Sequence, residues 1–358
     1  MNKLLTQTLD HLAALVRCDT RNPPRLTNES GINAYLAQQL HDFEISIADL
    51  GEGSVNLLAV RGKPDTLFNF HIDTVPDSPA WSGNPFTLKV DDQKATGLGA
   101  CDIKGAAACM LTAAANSSGD LALLFSSDEE AGNSQCITQF LKNPHKFRQV
   151  VVAEPTGARA VLAHRGIASA QIEFNGVAGH SSSARAMQDN AVHRAASWLV
   201  KALDFAQQQQ KQVCETLSGI RFNAGRFEGG IKPNMIAPDA LIRFGLRPLP
   251  GQNAEELLSA LRQLAATNEV KSFAASFVAP SLPARTEQLA QARALASALD
   301  LPIADAVDFW TEAALFSAAG LTALVYGPGD IAQAHCADEW VALSQLTEVT
   351  ETYLRLSQ

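Results

Sequence analysis

The run LALLF at 121–125 is apolar at every position and leads, through Ser126 and Ser127, into three acids, Asp128, Glu129 and Glu130. A strand with one wet face alternates apolar and polar residues; one that does not alternate is covered on both faces. The segments QVVVAE at 149–154 and TALVYG at 322–327 have the same character. Short strands of this kind, separated by helical patterns, predict an α/β layer with a largely central sheet. Leu4, Leu5, Leu9, Leu12 and Val16 stand at helical spacing and predict a helix over 3–17. Asp10 and His11 interrupt its apolar part and no A-x-A pattern follows, so it does not read as a secretory leader. Further helices are expected at 30–42, 103–116, 134–142, 286–299, 311–319 and from 343. Strands are expected at 43–49, 55–61 and 66–71, followed by a hairpin (FTLKV-DDQ-KATGLG) turning at Asp91 and Asp92.

After Arg165 the pattern changes. Segment 167–174 alternates as a strand, 188–209 reads as a long helix ending in a solvated Gln run, and 219–227 and 239–247 read as strands. A helix at 253–267 and a strand at 271–279 complete the order β-α-β-β-α-β. That order belongs to a ferredoxin-like unit, two helices on one face of a four-stranded antiparallel sheet. Such a unit leaves an open face and edges to be covered, often by a second copy. Pro280 to Pro283 reads as a return hinge. The expected organisation is therefore a larger α/β domain at 1–164 and 280–358, interrupted by an inserted, smaller α+β domain at 165–279.

Length and charge narrow the function. A chain of 358 residues suggests about two domains, and 46% hydrophobic content is enough to give each a core. The net charge of −9 argues against nucleic acid or an anionic membrane as the main partner. No run approaches the ~18–20 apolar residues of a membrane span. The expectation is a soluble cytoplasmic protein. Cys18, Cys101, Cys109, Cys136, Cys214 and Cys336 form no CxxC pair and read as reduced, mostly buried thiols. Cys101 and Cys336 stand beside stronger candidates and are expected to line the site without being ligands.

Five stretches put acids and histidines just after predicted strands, where open α/β sheets bind ligands. In FNFHIDTVP, His71 precedes Asp73, an arrangement that serves either a loop hydrogen bond or a zinc-bound imidazole whose other ring N–H is held by a carboxylate. In TGLGACDIKGAAA, Asp102 is either a helix cap or a ligand. Gly97-x-Gly99 lacks the third glycine of a dinucleotide fingerprint and the GK[ST] of a phosphate loop. In LLFSSDEEAG, adjacent carboxylates after a buried strand suit a metal hydrolase, one binding a cation and the other handling protons. Glu154 in VVVAEPT and His335 in VYGPGDIAQAHCADE complete the set. Each has a structural alternative by itself. Together they offer histidine and carboxylate donors suited to zinc, with cobalt or manganese as substitutes.

These stretches resemble the zinc amidohydrolase and peptidase family of acetylornithine deacetylase, succinyl-diaminopimelate desuccinylase and the glutamate-releasing carboxypeptidases. The similarity covers essentially the whole chain. It implies that 1–164 and 280–358 form an α/β catalytic domain, that 165–279 is an inserted lid and dimerisation domain, and that the catalytic domain holds a two-zinc site. It implies that His71 and Glu154 ligate one zinc, that Glu130 and His335 ligate the other, and that Asp102 bridges them, often ahead of a cis peptide. Asp73 resembles the partner that orients His71, and Glu129 the general acid/base. Glu at position 154 goes with deacetylases and desuccinylases, Asp with aminopeptidase-type relatives. In the lid, His180 resembles the histidine that reaches the partner subunit's active site. Asn234 resembles the lid asparagine near the substrate, and Arg247 the arginine that holds the substrate α-carboxylate. Glu312, in DFWTEAALF, resembles the Thr-Glu-Ala glutamate near the substrate. The implied reaction removes the acetyl group from N-acetylornithine or N-acetylcitrulline in arginine biosynthesis, by a homodimer. DTRNPPR, DIKGAAA, VDFWTEA and YGPGDIAQAH are similar to the acetylcitrulline enzymes of plant-pathogenic bacteria. A desuccinylase or related metallopeptidase is the alternative on the same scaffold. A non-catalytic metal-binding scaffold would have lost Glu129 or a ligand, and none is missing.

Overall fold

The computed structural model describes residues 2–132 and 134–358, and the chain divides into two compact units. One consists of Met1–Leu162, Glu287–Ala304 and Thr311–Gln358; the other of Ala163–Thr286 and Asp305–Trp310. The second unit thus takes in a short strap, 305–310, that returns to it after the helix Gln288–Ala298.

The first unit is built on a mixed six-stranded sheet. Its strands lie side by side in the order Glu44–Asp49, Val55–Arg61, Leu121–Ser126, Thr66–His71, Gln149–Val152 and Thr322–Val325. The last four are mutually parallel; Val55–Arg61 runs antiparallel to them, and Glu44–Asp49 pairs antiparallel with it at the edge. Leu121–Ser126 is buried at every position, as its unbroken apolar run requires. Parallelism brings the carboxyl ends of the four strands to one rim. On one face, Lys3–Arg17, Lys104–Ala115 and Leu343–Leu356 pack together. Three buried threonine hydroxyls, Thr8, Thr112 and Thr350, meet at their contact, with Thr8 Oγ1 3.0 Å from each of the others. Polar atoms at a helix junction are tolerable because they satisfy one another. The Tyr353 ring stands edge-on to Phe70, which stacks on Phe125.

The second unit has the order that the β-α-β-β-α-β pattern predicts. Its antiparallel sheet runs Arg221–Gly229, Asp239–Arg247, Ile167–Asn175, Val270–Ala279. Ile167–Asn175 alternates between buried and half-buried residues. The buried face packs against Ala191–Gln208 and Ala254–Gln263, with Trp198 among Phe174, Phe222 and Phe244.

Several element boundaries differ from the sequence expectation. The helix expected over 188–209 is two pieces, Ala186–Asp189 and Ala191–Gln208, because Asn190 adopts an extended backbone and caps the second with its side-chain oxygen. Of its Gln run, Gln207 and Gln208 are exposed, whereas Gln210 is half-buried and donates to the Ile220 carbonyl. The helix expected over 253–267 ends at Gln263. Trp198 Nε1 and Lys201 Nζ take the carbonyls of Leu261 and Leu264, at 2.8 and 3.3 Å, and Ala266 is extended. The helix expected over 30–42 is Ile32–Gln39 and begins after Gly31, which sits at φ 78°. The hairpin turns as expected, but its strands are only Lys89–Val90 and Lys94–Thr96, the latter also pairing with Trp340–Ala342. Among the described residues, no helix is long and apolar enough to cross a membrane.

Candidate metal centre and active site

The parallel strands deliver their chemistry to one rim of the first unit. His71 is the last residue of its strand, Glu129 and Glu130 follow Leu121–Ser126, and Glu154 follows Gln149–Val152. Asp102 comes from the turn before Lys104–Ala115, and the bond after it is cis. His335 comes from the loop after Thr322–Val325, at φ 59°. His71 Nε2 lies 2.9 Å from Asp102 Oδ1 and 3.8 Å from Glu154 Oε1. His335 Nε2 lies 3.1 Å from Glu130 Oε1 and 3.5 Å from Asp102 Oδ2. Among the described residues, three sets offer donor atoms within 4.8 Å of one another: His71, Asp102 and Glu154; Asp102, Glu130 and His335; and His71, Glu129 and Glu130. Asp102 belongs to two of them, one carboxylate oxygen facing each imidazole.

The electrostatics fit a cation. Burial pushes the Glu129 carboxyl up to about 8, with Glu130, Asp102 and Asp73 adding to it and His71 opposing. Burial raises Glu130 as well, against its hydrogen bond to His335, and raises Glu154 well above the usual range. Burial would lower His71, but its hydrogen bonds to Asp102 and Asp73 win and hold it well above the ordinary imidazole value. Hydrogen bonds to Asp102 and Glu130 raise His335 to about 11. Burial works against ionised Asp102, yet the two imidazoles keep its pKa below the usual carboxylate value. Both imidazoles are thus made to act as cations by a surplus of enclosed acid. A divalent ion neutralises that surplus directly, and histidine with carboxylate oxygen is a donor set for zinc, cobalt or manganese.

Residues 67–358 match the profile of Peptidase family M20/M25/M40. The chain belongs to that family. It is 51% identical to the N-acetyl-L-citrulline deacetylase of Xanthomonas campestris pv. campestris over 99% of each chain. It is 30% identical to the acetylornithine deacetylase of Myxococcus xanthus, covering 83% of this chain and 82% of that one. In fold it is similar to the aminopeptidase PepT of Bacillus cereus, with a TM-score of 0.74 at 18% identity over 99% of this chain and 98% of that one.

Asp73 in this M20 chain differs in detail from the expected orienting carboxylate. His71 Nδ1 is closer to the Asp73 carbonyl oxygen, 3.2 Å, than to its carboxylate Oδ1, 3.6 Å. Oδ2 accepts from the Glu130 amide at 3.0 Å and from Asn22 Nδ2 at 3.1 Å. Asp73 therefore touches both His71 and the backbone of Glu130. Asp128, first of the three acids, turns away from this work, and its Oδ2 accepts from the Cys136 amide at 3.0 Å. Glu312 is buried, with Oε2 accepting from Ser126 Oγ at 3.1 Å and Oε1 having no hydrogen-bond partner among the described residues. Burial beside Asp128 and Glu129 raises its carboxyl well above the usual range. Cys101 is buried and donates to the Asp330 carbonyl, whereas Cys336 is exposed.

In the second unit, His180 lies in a two-residue strand paired with Met235–Ile236, and the Ser181 amide donates to the Asn234 carbonyl at 3.1 Å. His180 is exposed, its Nδ1 2.7 Å from Ser182 Oγ. Arg247 ends the strand Asp239–Arg247, and burial lowers its pKa. Its carbonyl accepts from Nη1 of the fully buried Arg165, which also bonds the Ser218 and Gly219 carbonyls and the Asp308 carboxylate.

Sequence reasoning missed Asn22 and Glu339. Both lie in stretches already singled out, DTRNPPR and HCADE. A polar residue that bonds a ligand-bearing loop has no spacing of its own to announce it. Glu339 is 2% exposed, and burial raises its carboxyl to about 7, against the pull of the amides that donate to it.

Proposed function

We propose that this M20 hydrolase is a zinc-dependent N-acetyl-L-citrulline deacetylase, releasing acetate and L-citrulline. The observation that carries the reading is 51% identity to such an enzyme over 99% of both chains. His71 and Glu154 would hold one cation, Glu130 and His335 the second, with Asp102 shared; their mutual distances support this assignment. When bound, such ions acidify water and polarise a carbonyl. Glu129 takes the proton from water as its oxygen attacks the acetyl carbon. It then hands that proton to the nitrogen as the carbon–nitrogen bond breaks. Its enclosed position among other acids keeps the carboxyl basic enough for the task. Asp73 holds His71 and the Glu130 amide in register. Arg247 grips the α-carboxylate of the substrate with two parallel hydrogen bonds, a task for which guanidinium geometry is suited. Asn234 and Glu312 contact the substrate. His180, contributed by a second copy, donates to the developing oxyanion, a contribution of roughly 3–4 kcal/mol. The unpaired outer edge of Arg221–Gly229 and the exposed Val200 and Leu203 on the neighbouring helix support a homodimer through the second unit. Six unpaired thiols and a biosynthetic substrate support a cytoplasmic location.

The test is acetate release by zinc-loaded protein from N-acetyl-L-citrulline and N-acetyl-L-ornithine in parallel, with and without chelator. Chelator-sensitive release favouring acetylcitrulline by tenfold or more is the expected result. A preference for acetylornithine would move the enzyme to that step, which the 30% identical relatives catalyse by name. No release from either by a zinc-loaded protein would overturn the deacetylase reading.

A further inference from the structure

Glu339 lies four residues after His335, immediately before the strand Trp340–Ala342. Its Oε2 accepts from the Gly99 amide at 3.0 Å, and its Oε1 accepts from the amides of Cys101 at 2.8 Å and Asp102 at 3.0 Å. Its backbone carbonyl accepts from the Gly97 amide, also at 3.0 Å. The turn at 97–102 is therefore wrapped around one buried residue. Successive amides converging on an anion form a concave nest, and hydrogen bonds to an ionised acceptor are stronger than neutral ones. The turn is shaped for this grip. Gly99 sits at φ 78°, and a Cβ there would lie 2.8 Å from Thr74 Cγ2 and 3.0 Å from Lys104 Cδ.

What the grip joins is specific. The turn carries Asp102, and the segment before Glu339 carries His335, so two loops remote in the chain are fixed to each other next to their 3.5 Å approach. His71 and Glu154 have no such need, because their backbones continue adjacent strands of the central sheet. We infer that Glu339 is a positioning residue that ties the Asp102 turn to the His335 loop, and that its loss weakens the cation site of Asp102, Glu130 and His335 more than that of His71, Asp102 and Glu154, which keeps two donors on sheet strands. This rests on the metal assignment proposed above.

The experiment strips metal from the full-length protein and titrates it with zinc against a chromophoric chelator, for the native chain, Glu339→Gln and Glu339→Asp. The Gln variant keeps the shape and one acceptor oxygen but turns an NH2 towards an amide N–H; the Asp variant keeps the charge and shortens the reach. Two cations per native chain, with one site in Glu339→Gln weakened about ten- to a hundredfold and the other clearly less, is the expected result. Double variants with His335→Ala and His71→Ala assign the more weakened site: the loss caused by Glu339→Gln should be the smaller one beside His335→Ala and the larger one beside His71→Ala. Equal weakening of both sites would mark Glu339 as merely structural, and unchanged affinities would remove its role; either overturns the inference. Fewer than two cations in the native chain would instead overturn the metal assignment itself. Should Glu339→Gln fail to fold, Glu339→Asp carries the same comparison, with the larger weakening again expected at the site of Glu130 and His335.

Discussion

The two halves of the candidate metal centre are built differently. In the half made by His71 and Glu154, the side chains are 2% and 6% exposed and both residues extend strands in the middle of a sheet. In the other half, Glu130 is 7% exposed but His335 is 54% exposed, and both sit in loops. Asp102 belongs to both. A strand end inherits its position from the whole sheet, whereas a loop must be fixed by bonds of its own. Those bonds are visible: Asp73 to the Glu130 amide on one side, and Glu339 to the turn of Asp102 on the other. In the enclosed half only Asp102 depends on a loop; in the open half all three donors ride on loops or turns, and His335 leaves that half open to solvent.

Five measurements break or sharpen that comparison. Glu129→Ala should lose turnover by about a hundred- to ten-thousandfold, the range of a general acid/base, while keeping both cations. Loss of metal in that variant would mean that Glu129 belongs to the ligand set rather than to the chemistry. Next, His71→Ala should cost about a thousandfold in kcat/KM, corresponding to about 4 kcal/mol, because it empties the enclosed half and strands two buried carboxylates. His335→Ala should cost less and leave one tight cation by elemental analysis. Equal losses of metal in the two variants would erase the distinction between the halves.

Arg247→Ala lies outside both halves and should raise KM about tenfold or more with little change in kcat, the signature of lost uniform binding. An unchanged KM would remove Arg247 as the carboxylate anchor.

The smallest effect concerns pH. Carboxyls raised by burial bind protons in the native state that the unfolded chain has released. Stability of the stripped protein should therefore fall as pH climbs from about 4.5 towards the native value, about 8 for Glu129. The raised imidazoles of His71 and His335 push in the same direction above pH 6.5. The opposing contribution of Asp102, whose pKa is lowered, lies below 3.8. Melting curves of stripped and zinc-loaded protein between pH 5 and 8 should diverge by a few °C, the stripped form falling. Parallel curves would mean that the enclosed acids are not what the cations neutralise.

Much of this was legible in the chain itself. The unbroken run at 121–125 dictated a strand covered on both faces, and it is. The β-α-β-β-α-β order after 165 dictated a four-stranded antiparallel sheet with two helices on one face, and the second unit has both. The candidate ligands were legible because chemistry leaves them few alternatives: buried acids and histidines placed after apolar strands need a partner of opposite charge. Periodicity, composition and residue type act over a few neighbouring residues, and such information is written directly in the sequence.

Other features were decided only when distant segments met. Trp198 donates to the Leu261 carbonyl in the last turn of a helix, 63 residues away in sequence. Asp128 and Glu129 are neighbours in sequence and both carboxylates, yet one bonds a helix amide and the other stands in the acid cluster. Glu339 gained its partners through backbone amides, which every residue but proline possesses, so no residue type marked the other side of the contact. Sequence fixes which groups are available and which local elements they ride on. Their protonation, their orientation and the stiffness of the loops that carry them come from the sum of contacts across the fold, which no single segment contains.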